Sequence, residues 1–494
     1  LQRIRVMSLS AALNTAVIGL TTLQQQTRIV SGNISNAQNE NYSRKIANLT
    51  TPVADGLPQA ALIASITRVV APEVRADLYK QAGEYGKTST QLQYARDLAE
   101  ILDATVTTGE QPTLMASMTR FENAWKALEA TPEDMELRNQ VILRAEELTA
   151  EIRRLYNTRS TLETRARQNI QADIQTINEA AAEIAKLNTQ VALQKASGGI
   201  TGDFEDLRDQ QIAKIAERVG IRTLTNDRGE VFVYTNEGVQ IVGSIAQEFT
   251  YDPSTGNLTV RGGTQPLNSG FKGGSIQASL DYIEPITLIT PTPAPPATAA
   301  QVSNISSDPN VQTLAKFFNQ LDAFAANLVQ VVNTAYGGNF FNTPTPGAEG
   351  GDIMVEETAA TLNPAAAGAV QQAMRMPDAL LRDYEVNPDY LPAGGLPAGR
   401  VLDPNGLKVA NINIFGLASA ILSYHARKAA DTEVRMDTAE RQHHALDQKL
   451  RNLTGVNIDD ELAQLQLLTT NYAALANVMN TITEMFDQLV NIGR

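Results

Sequence analysis

Cysteine is absent from this 494-residue chain, which excludes disulfides, thiolate metal sites and cysteine nucleophiles. Its absence also suits a protein that leaves the cell and must not cross-link. Aromatic residues are only 5% of the chain, with a single tryptophan, Trp125. No stretch approaches the roughly 20 consecutive apolar residues of a membrane-spanning helix. A cationic surplus is missing as well. The formal net charge of −14 argues against nucleic acid or an anionic membrane as partner, because phosphates are neutralised by Lys and Arg. The sequence holds no phosphate-binding loop, no GxGxxG, no GxSxG and no HExxH.

What the chain does have is length, hydrophobic content of 43% and a strong helical pattern. The length allows roughly three domains. The clearest pattern lies at the two ends. Leu9, Leu13, Ala16, Leu20, Leu23, Thr27, Val30 and Ile34 are spaced by alternating fours and threes. Leu465, Leu468, Tyr472, Leu475, Met479, Ile482, Phe486 and Leu489 repeat that spacing at the other end. It keeps one apolar seam on one side of a helix and favours helix-on-helix packing. Termini are usually where order is lost, so seams placed there predict that the terminal helices pair and serve assembly. Arg3 and Arg5 before Ala11–Leu20 imitate a signal peptide, but Asn14 and Thr15 interrupt the run and no small-residue cleavage site follows. The segment reads as mature structure starting at Met7.

Between the ends, residues 133–196 contain neither proline nor glycine and read as one or two very long helices. The apolar seam shifts near Leu162, Ala166 and Ile170. Residues 206–219 predict a further helix. Short strand-like runs follow at 231–235, 239–243, 247–252, 257–260 and 275–283, separated by turn sequences such as Asn236-Glu237-Gly238. Pro285–Ala300 reads as an extended linker. A helix capped by Asp308 and Pro309 is expected next. Residues 337–410 read as irregular, with a short helix near 365–374. Helices return at 418–453, and Asn457 caps the last one, with Asp459, Asp460 and Glu461 favoured in its first turn by the helix dipole.

The expected fold is mainly α with an inserted β domain: paired N- and C-terminal helices, a long α-helical bundle, and a small antiparallel β domain at the tip. The expected divisions are 7–45 plus 456–494 (terminal assembly domain), 46–220 plus 301–455 (helical domain with the loop 337–410) and 221–300 (β domain).

Candidates for chemistry have plainer readings. His443 with Asp447, and Glu440 with His444, read as i,i+4 pairs on a polar helix face rather than metal ligands. Asp206, Arg208 and Asp209 read as a helix start with a local salt bridge rather than a catalytic carboxylate pair. Met374, Met376, Phe340 and Phe341 read as buried anchors of the long loop, and Trp125 as a core residue. No catalytic residue, cofactor-binding residue or metal ligand is assigned, and no cofactor is expected.

The motifs carry a specific resemblance. Asn33-Ile34-Ser35-Asn36-Ala37 leading to Tyr42-Ser43-Arg44 resembles the N-terminal signature of flagellar axial proteins. Gln38, Asn39 and Asn41 depart from it. The C-terminal Gly455-Val456-Asn457-Ile458-Asp459-Asp460-Glu461, Tyr472-Ala473-Ala474-Leu475-Ala476 and Met485-Phe486-Asp487-Gln488-Leu489-Val490-Asn491-Ile492 resemble the FlgK family of hook–filament junction proteins. Asp206-Leu207-Arg208-Asp209-Gln210 and Asn405-Gly406 to Ala410-Asn411 fit the same family.

The resemblance implies a structural, non-enzymatic component of the bacterial flagellum that joins hook to filament. It implies a closed ring of about eleven copies, contacts with the hook protein and a second hook-associated junction protein, and an export chaperone on the C-terminal helix. Secretion by the flagellar apparatus to an extracellular location follows, with neither nucleic acid nor membrane as partner. The expected interface residues are Leu13, Leu20, Leu23, Val30, Ile34, Asn36, Tyr42, Arg44, Leu465, Leu468, Tyr472, Leu475, Met479, Ile482, Phe486 and Leu489. Rival readings are another axial protein (hook, distal rod or filament subunit), a non-flagellar coiled-coil adaptor, or a hydrolase on a helical scaffold.

Overall fold

The computed structural model describes residues 2–54, 57–58, 60–103, 113–283, 314–345, 348–376 and 413–492. The expected linker 285–300, the Asp308–Pro309 cap and the 405–411 motif lie outside them.

Helix α1 (Gln2–Ser35) is followed by a hairpin of β1 (Lys45–Thr50) and β4 (Leu62–Arg68), with the short pair β2 (Val53–Ala54) and β3 (Leu57–Pro58) beyond it. Three helices follow: α2 (Pro72–Asp103), α3 (Leu114–Ala130) and α4 (Met135–Ala196). Helix α4 is a single uninterrupted element of 62 residues, roughly 90 Å at 1.5 Å per residue. Asp134 caps it by accepting from Glu136 N–H. After α5 (Gly202–Arg218) come β5 (Ile221–Thr225), β6 (Val231–Thr235) and β7 (Gln240–Val242), an antiparallel sheet in that order. A second antiparallel pair is formed by β8 (Phe249–Asp252) and β9 (Asn257–Val260). The remaining α-helices among the described residues are α6 (Gly274–Ile283), α7 (Leu314–Tyr336), α8 (Glu349–Asp352), α9 (Ala367–Arg375), α10 (Ile414–Thr454) and α11 (Ile458–Ile492).

Two apolar cores divide α4 between them. Val141 to Ala166 join α3, α7, α9 and the start of α10 around Trp125, Phe121, Phe318 and Phe340. Ile170 to Ile184 join α2, α5, α6 and strands β5–β9 around Ile215, Val233, Phe249 and Phe271. The seam shift read in the sequence at 162–170 is where α4 passes from one core to the other. Strands β5–β9 therefore lie along the C-terminal half of α4. Two asparagines of α4 hold them there. Asn178 exchanges hydrogen bonds with the backbone of Phe249 at 2.8 and 2.9 Å. Buried Asn188 donates to the Val231 and Gly243 carbonyls and accepts from Val231 N–H and Arg208. Each amide does the work of a neighbouring strand's backbone.

The strand expected at 275–283 is a helix instead. Ile276, Ala278, Leu280 and Tyr282 alternate, so the strand template fits the sequence equally well. Gly273 and Gly274, at φ +77° and +66°, turn the chain, and packing then selects helix. Ser279 and Tyr282, three apart on one helical face, meet the hydroxyl of Tyr94 at 2.7 Å and its ring at 4.2 Å between centroids. Met376, expected to be buried, is exposed, because α9 ends at Arg375. Met374, Phe340, Phe341 and Trp125 are fully buried. Helices α2 and α10 run antiparallel, tied by Arg96–Glu433 (2.7 Å), by Gln81 to the Ala439 carbonyl, and by Tyr85 stacked on His443.

One buried carboxylate makes stability depend on pH. Burial raises the pKa of Asp322 to about 7, with Glu349 and Asp352 adding to the rise. Its bond from Gly350 N–H (2.9 Å) and the charge of Arg159 oppose it. A carboxyl whose folded pKa exceeds its unfolded value contributes fully below the unfolded value, and the contribution is lost as pH rises through about 7, at about 1.4 kcal/mol per unit. Asp322→Asn keeps an acceptor for Gly350 and removes the charge. It should be roughly 1–3 kcal/mol more stable than the parent at pH 8, with little difference near pH 4. Urea melts at both pH values check this; an advantage equal at the two would rule out the carboxylate as its source.

Candidate functional site

The apolar seams of α1 and α11 face each other. The helices run antiparallel: Gly19 lies against Leu475, Gln24 donates to the Tyr472 hydroxyl at 3.3 Å, and Asn33 donates to Glu461 at 3.1 Å. A methyl group on Gly19 would sit 2.8 Å from Leu475 Cδ2, so glycine there permits the close approach. Ala16, Leu20, Val30, Leu468 and Ile482 are buried. Leu13, Leu23, Ile34, Leu465, Leu475, Met479 and Phe486 are half-buried, and Tyr472 is exposed. The side chain of Leu489 lies outside the described residues. Two helices alone cover each other on one side only, which is why the seam is half-satisfied within one chain. Val17, Leu462, Leu467, Val478 and Met485 are exposed beside it. Residues 6–27 and 462–483 contain no charged side chain at all.

Where the pair meets the body, the chemistry changes from apolar to polar. Asn33, near the end of α1, is buried. Its Oδ1 accepts from Lys45 N–H and the Tyr42 hydroxyl, each at 3.0 Å, and its Nδ2 donates to the Lys45 carbonyl at 2.9 Å. Glu461, in the first turn of α11, is fully buried. It accepts from Asn33 and, at 2.6 Å, from Arg44 Nε. Arg44 N–H donates to the Thr454 carbonyl at the end of α10. Asn36 is half-buried and bonds back to the Gly32 carbonyl, closing the end of α1.

A second cluster lies alongside. Arg68 of β4 binds Glu205, Asp206 and Asp209 of α5 at 2.6–2.8 Å. Arg75 pairs with Asp209, and Lys45 pairs with Asp203 and lies 3.7 Å over the Tyr42 ring. Asp206 also accepts from Ser43 N–H at 3.1 Å. Four cations (Lys45, Arg68, Arg75, Arg208) are gathered near four carboxylates (Asp203, Glu205, Asp206, Asp209). The salt bridge expected within 206–209 is therefore not local. The carboxylates reach across to β4 and α2. Arg208 turns the other way, onto Asn188 and the Gly229 carbonyl at 2.7 Å, where burial lowers its pKa to about 10.

Thus Tyr42 and Arg44 come together with Asn33 and Glu461, two residues whose roles sequence reading missed. Both stand inside the quoted motifs. Glu461 was explained there by the helix dipole alone, and nothing in the spacing connects it to Arg44, 417 positions away. Among the described residues no three His, Asp or Glu side chains form a metal-binding group, and no helix is long and apolar enough to cross a membrane. His444 lies 3.9 Å from Glu440, on the exposed side of α10.

The sequence resembles known proteins. Residues 99–349 match the family model for the flagellar hook-associated protein FlgK helical domain. Flagellar hook-associated protein 1 of Salmonella typhimurium is 21% identical over 569 aligned positions, covering 98% of this chain and 100% of that protein. The Escherichia coli K12 protein of that name is 23% identical over 552 positions, with the same coverage. The flagellar hook junction protein FlgK of Burkholderia pseudomallei aligns in structure with a TM-score of 0.41 and 18% identity, over 54% of this chain and 46% of that one. The chain belongs to the FlgK family of flagellar hook-associated proteins.

Proposed function

We propose that this chain is a structural, non-enzymatic subunit of the junction between flagellar hook and filament, on which the filament assembles. The observation that carries the reading is the terminal helix pair. Its seam is half-covered, a second apolar stripe is exposed beside it, and residues 6–27 and 462–483 are free of charge. A helix pair in water usually presents a charged outer face. One that presents Leu, Val, Met, Thr, Asn and Gln suits burial against further copies. The terminal unit (7–45 with 456–494) is then the assembly domain. The helical unit (46–220 with 301–455) and the β unit (221–300) form the body. The subunit is exported through the flagellar secretion apparatus, held beforehand by a chaperone on α11. It closes a ring of about eleven copies between the hook protein and the second hook-associated junction protein. The named relatives are hook-associated proteins over their full length, which favours this role over that of a hook, rod or filament subunit. Deleting the gene in its flagellated host should give bare hooks with filament subunits shed into the medium, restored by the intact gene. Normal filaments in the deletion strain would overturn the reading.

A further inference from the structure

Helix α8 is a single turn seated on α4 and α7, and two glycines set how closely it lies. A Cβ at Gly350 would be 3.0 Å from the Tyr156 ring and 3.4 Å from Leu321 Cγ, and one at Gly351 would be 2.9 Å from the same ring. The segments flanking the turn are held separately. Phe341 and Ile353 are fully buried, Asn342 N–H donates to the Met354 carbonyl at 3.0 Å, and Arg153 reaches the Ile353 carbonyl at 3.3 Å. A carboxyl group ties the turn itself to α7: Asp322, only 7% exposed, accepts from Gly350 N–H at 2.9 Å. The charged and titratable groups facing Asp322 among the described residues are Glu349 and Asp352 on α8 and Tyr156 and Arg159 on α4. Two of them are further carboxylates, and the Arg159 guanidinium also serves Glu163 at 2.9 Å.

We propose that α8 is a proton-operated catch: protonated Asp322 holds the turn down on Tyr156 and Leu321, and ionisation of Asp322 favours its lifting, which bares both side chains. The catch is a property of the free subunit and does not rest on the junction reading. A buried charge is costly unless it is paired. Ionising Asp322 with the turn seated sets three carboxylates together beside one guanidinium. Lifting relieves both costs, because it takes Glu349 and Asp352 away from Asp322 and lets water reach it. Burial, with Glu349 and Asp352 adding to it, raises the pKa of Asp322 in the seated turn to about 7. In the lifted turn a hydrated aspartate titrates near the ordinary value of about 4. The sign follows from the two values. Between them the seated form holds a proton that the lifted form has lost, so each pH unit of rise favours lifting by about tenfold. Below the lower value and above the upper one the balance no longer changes with pH.

Hydrogen exchange of the full-length subunit, read by mass spectrometry and corrected for the intrinsic pH dependence of amide exchange, tests the catch. In the parent, protection of the amides of residues 348–353 should fall about tenfold per pH unit from about pH 5 to about pH 7, then level off up to about pH 9. At every pH those amides should exchange faster than the amides of strand β8, because lifting precedes unfolding. Asp322→Asn keeps an acceptor for Gly350 without a charge, and its protection at 348–353 should not change with pH. Should that variant fail to fold, Asp352→Asn removes one facing carboxylate, and its protection should level off at a lower pH than in the parent. Four results would each overturn the catch: protection in the parent that is constant with pH, a parent-like fall in Asp322→Asn, an unmoved plateau in Asp352→Asn, or exchange at 348–353 no faster than at β8.

Discussion

Leu475→Asp should yield a folded, soluble subunit that cannot support a filament. Leu475 is half-buried in the middle of the terminal seam, against Gly19, with Leu468 and Ile482 buried two turns to either side. A carboxylate placed there has no partner, since residues 6–27 offer no cation. Burying it in the assembly costs on the order of several kcal/mol per subunit, and the proposed ring would repeat that penalty at every position. Leu475→Ala should be milder, about 1–3 kcal/mol, because only part of the side chain is covered within one chain. Neither core includes residue 475, so the main thermal transition should shift little. The expected phenotype is bare hooks with shed filament subunits beside a normal melt. A melt lowered by many degrees would place α11 in the body's core instead, and wild-type filaments would remove the seam from assembly.

Gly86→Ala should do the opposite, striking the body and sparing the seam. A Cβ at Gly86 would lie 2.0 Å from the backbone oxygen of Glu217 and 2.9 Å from its carbonyl carbon. Backbone cannot rotate aside as a side chain can, so α2 and α5 must separate, opening the core around Ile215 and Ala216. The loss should be roughly 3 kcal/mol or more, lowering Tm by roughly 3–4 °C or more in a body of this size. Gly32→Ala is the matched control. A Cβ there meets nothing within 4 Å, and alanine is the better helix former by up to about 1 kcal/mol. Equal effects of the two substitutions in a thermal melt would contradict the close packing of α2 on α5.

What could be read from the sequence divides along physical lines. Periodicity is local, so α1, α4, α10 and α11 were legible, and so was the 162–170 shift that separates the two cores. Where two periods fit equally, as at Ile276–Tyr282, packing on Tyr94 decided, and one sequence carries no trace of that choice. The polar contacts where the helix pair meets the body were the least legible. Hydrogen bonds between Asn33 and Glu461, or between Arg68 and Asp206, link residues 428 and 138 positions apart. Charge type alone does not say which cation meets which carboxylate. Asp206, Arg208 and Asp209 therefore read as a helix start with a local salt bridge, when the two aspartates are the landing site for Arg68 of a distant strand.

On the proposed reading the terminal helix pair attaches this subunit to the flagellum, while the body folds on its own cores. Purified full-length protein, added to isolated hooks that lack filaments and imaged by electron microscopy, tests it most directly. The parent should cap the distal ends of the hooks, and Leu475→Asp, with an unchanged melt, should leave them bare. Capping by Leu475→Asp as complete as by the parent would contradict the claim.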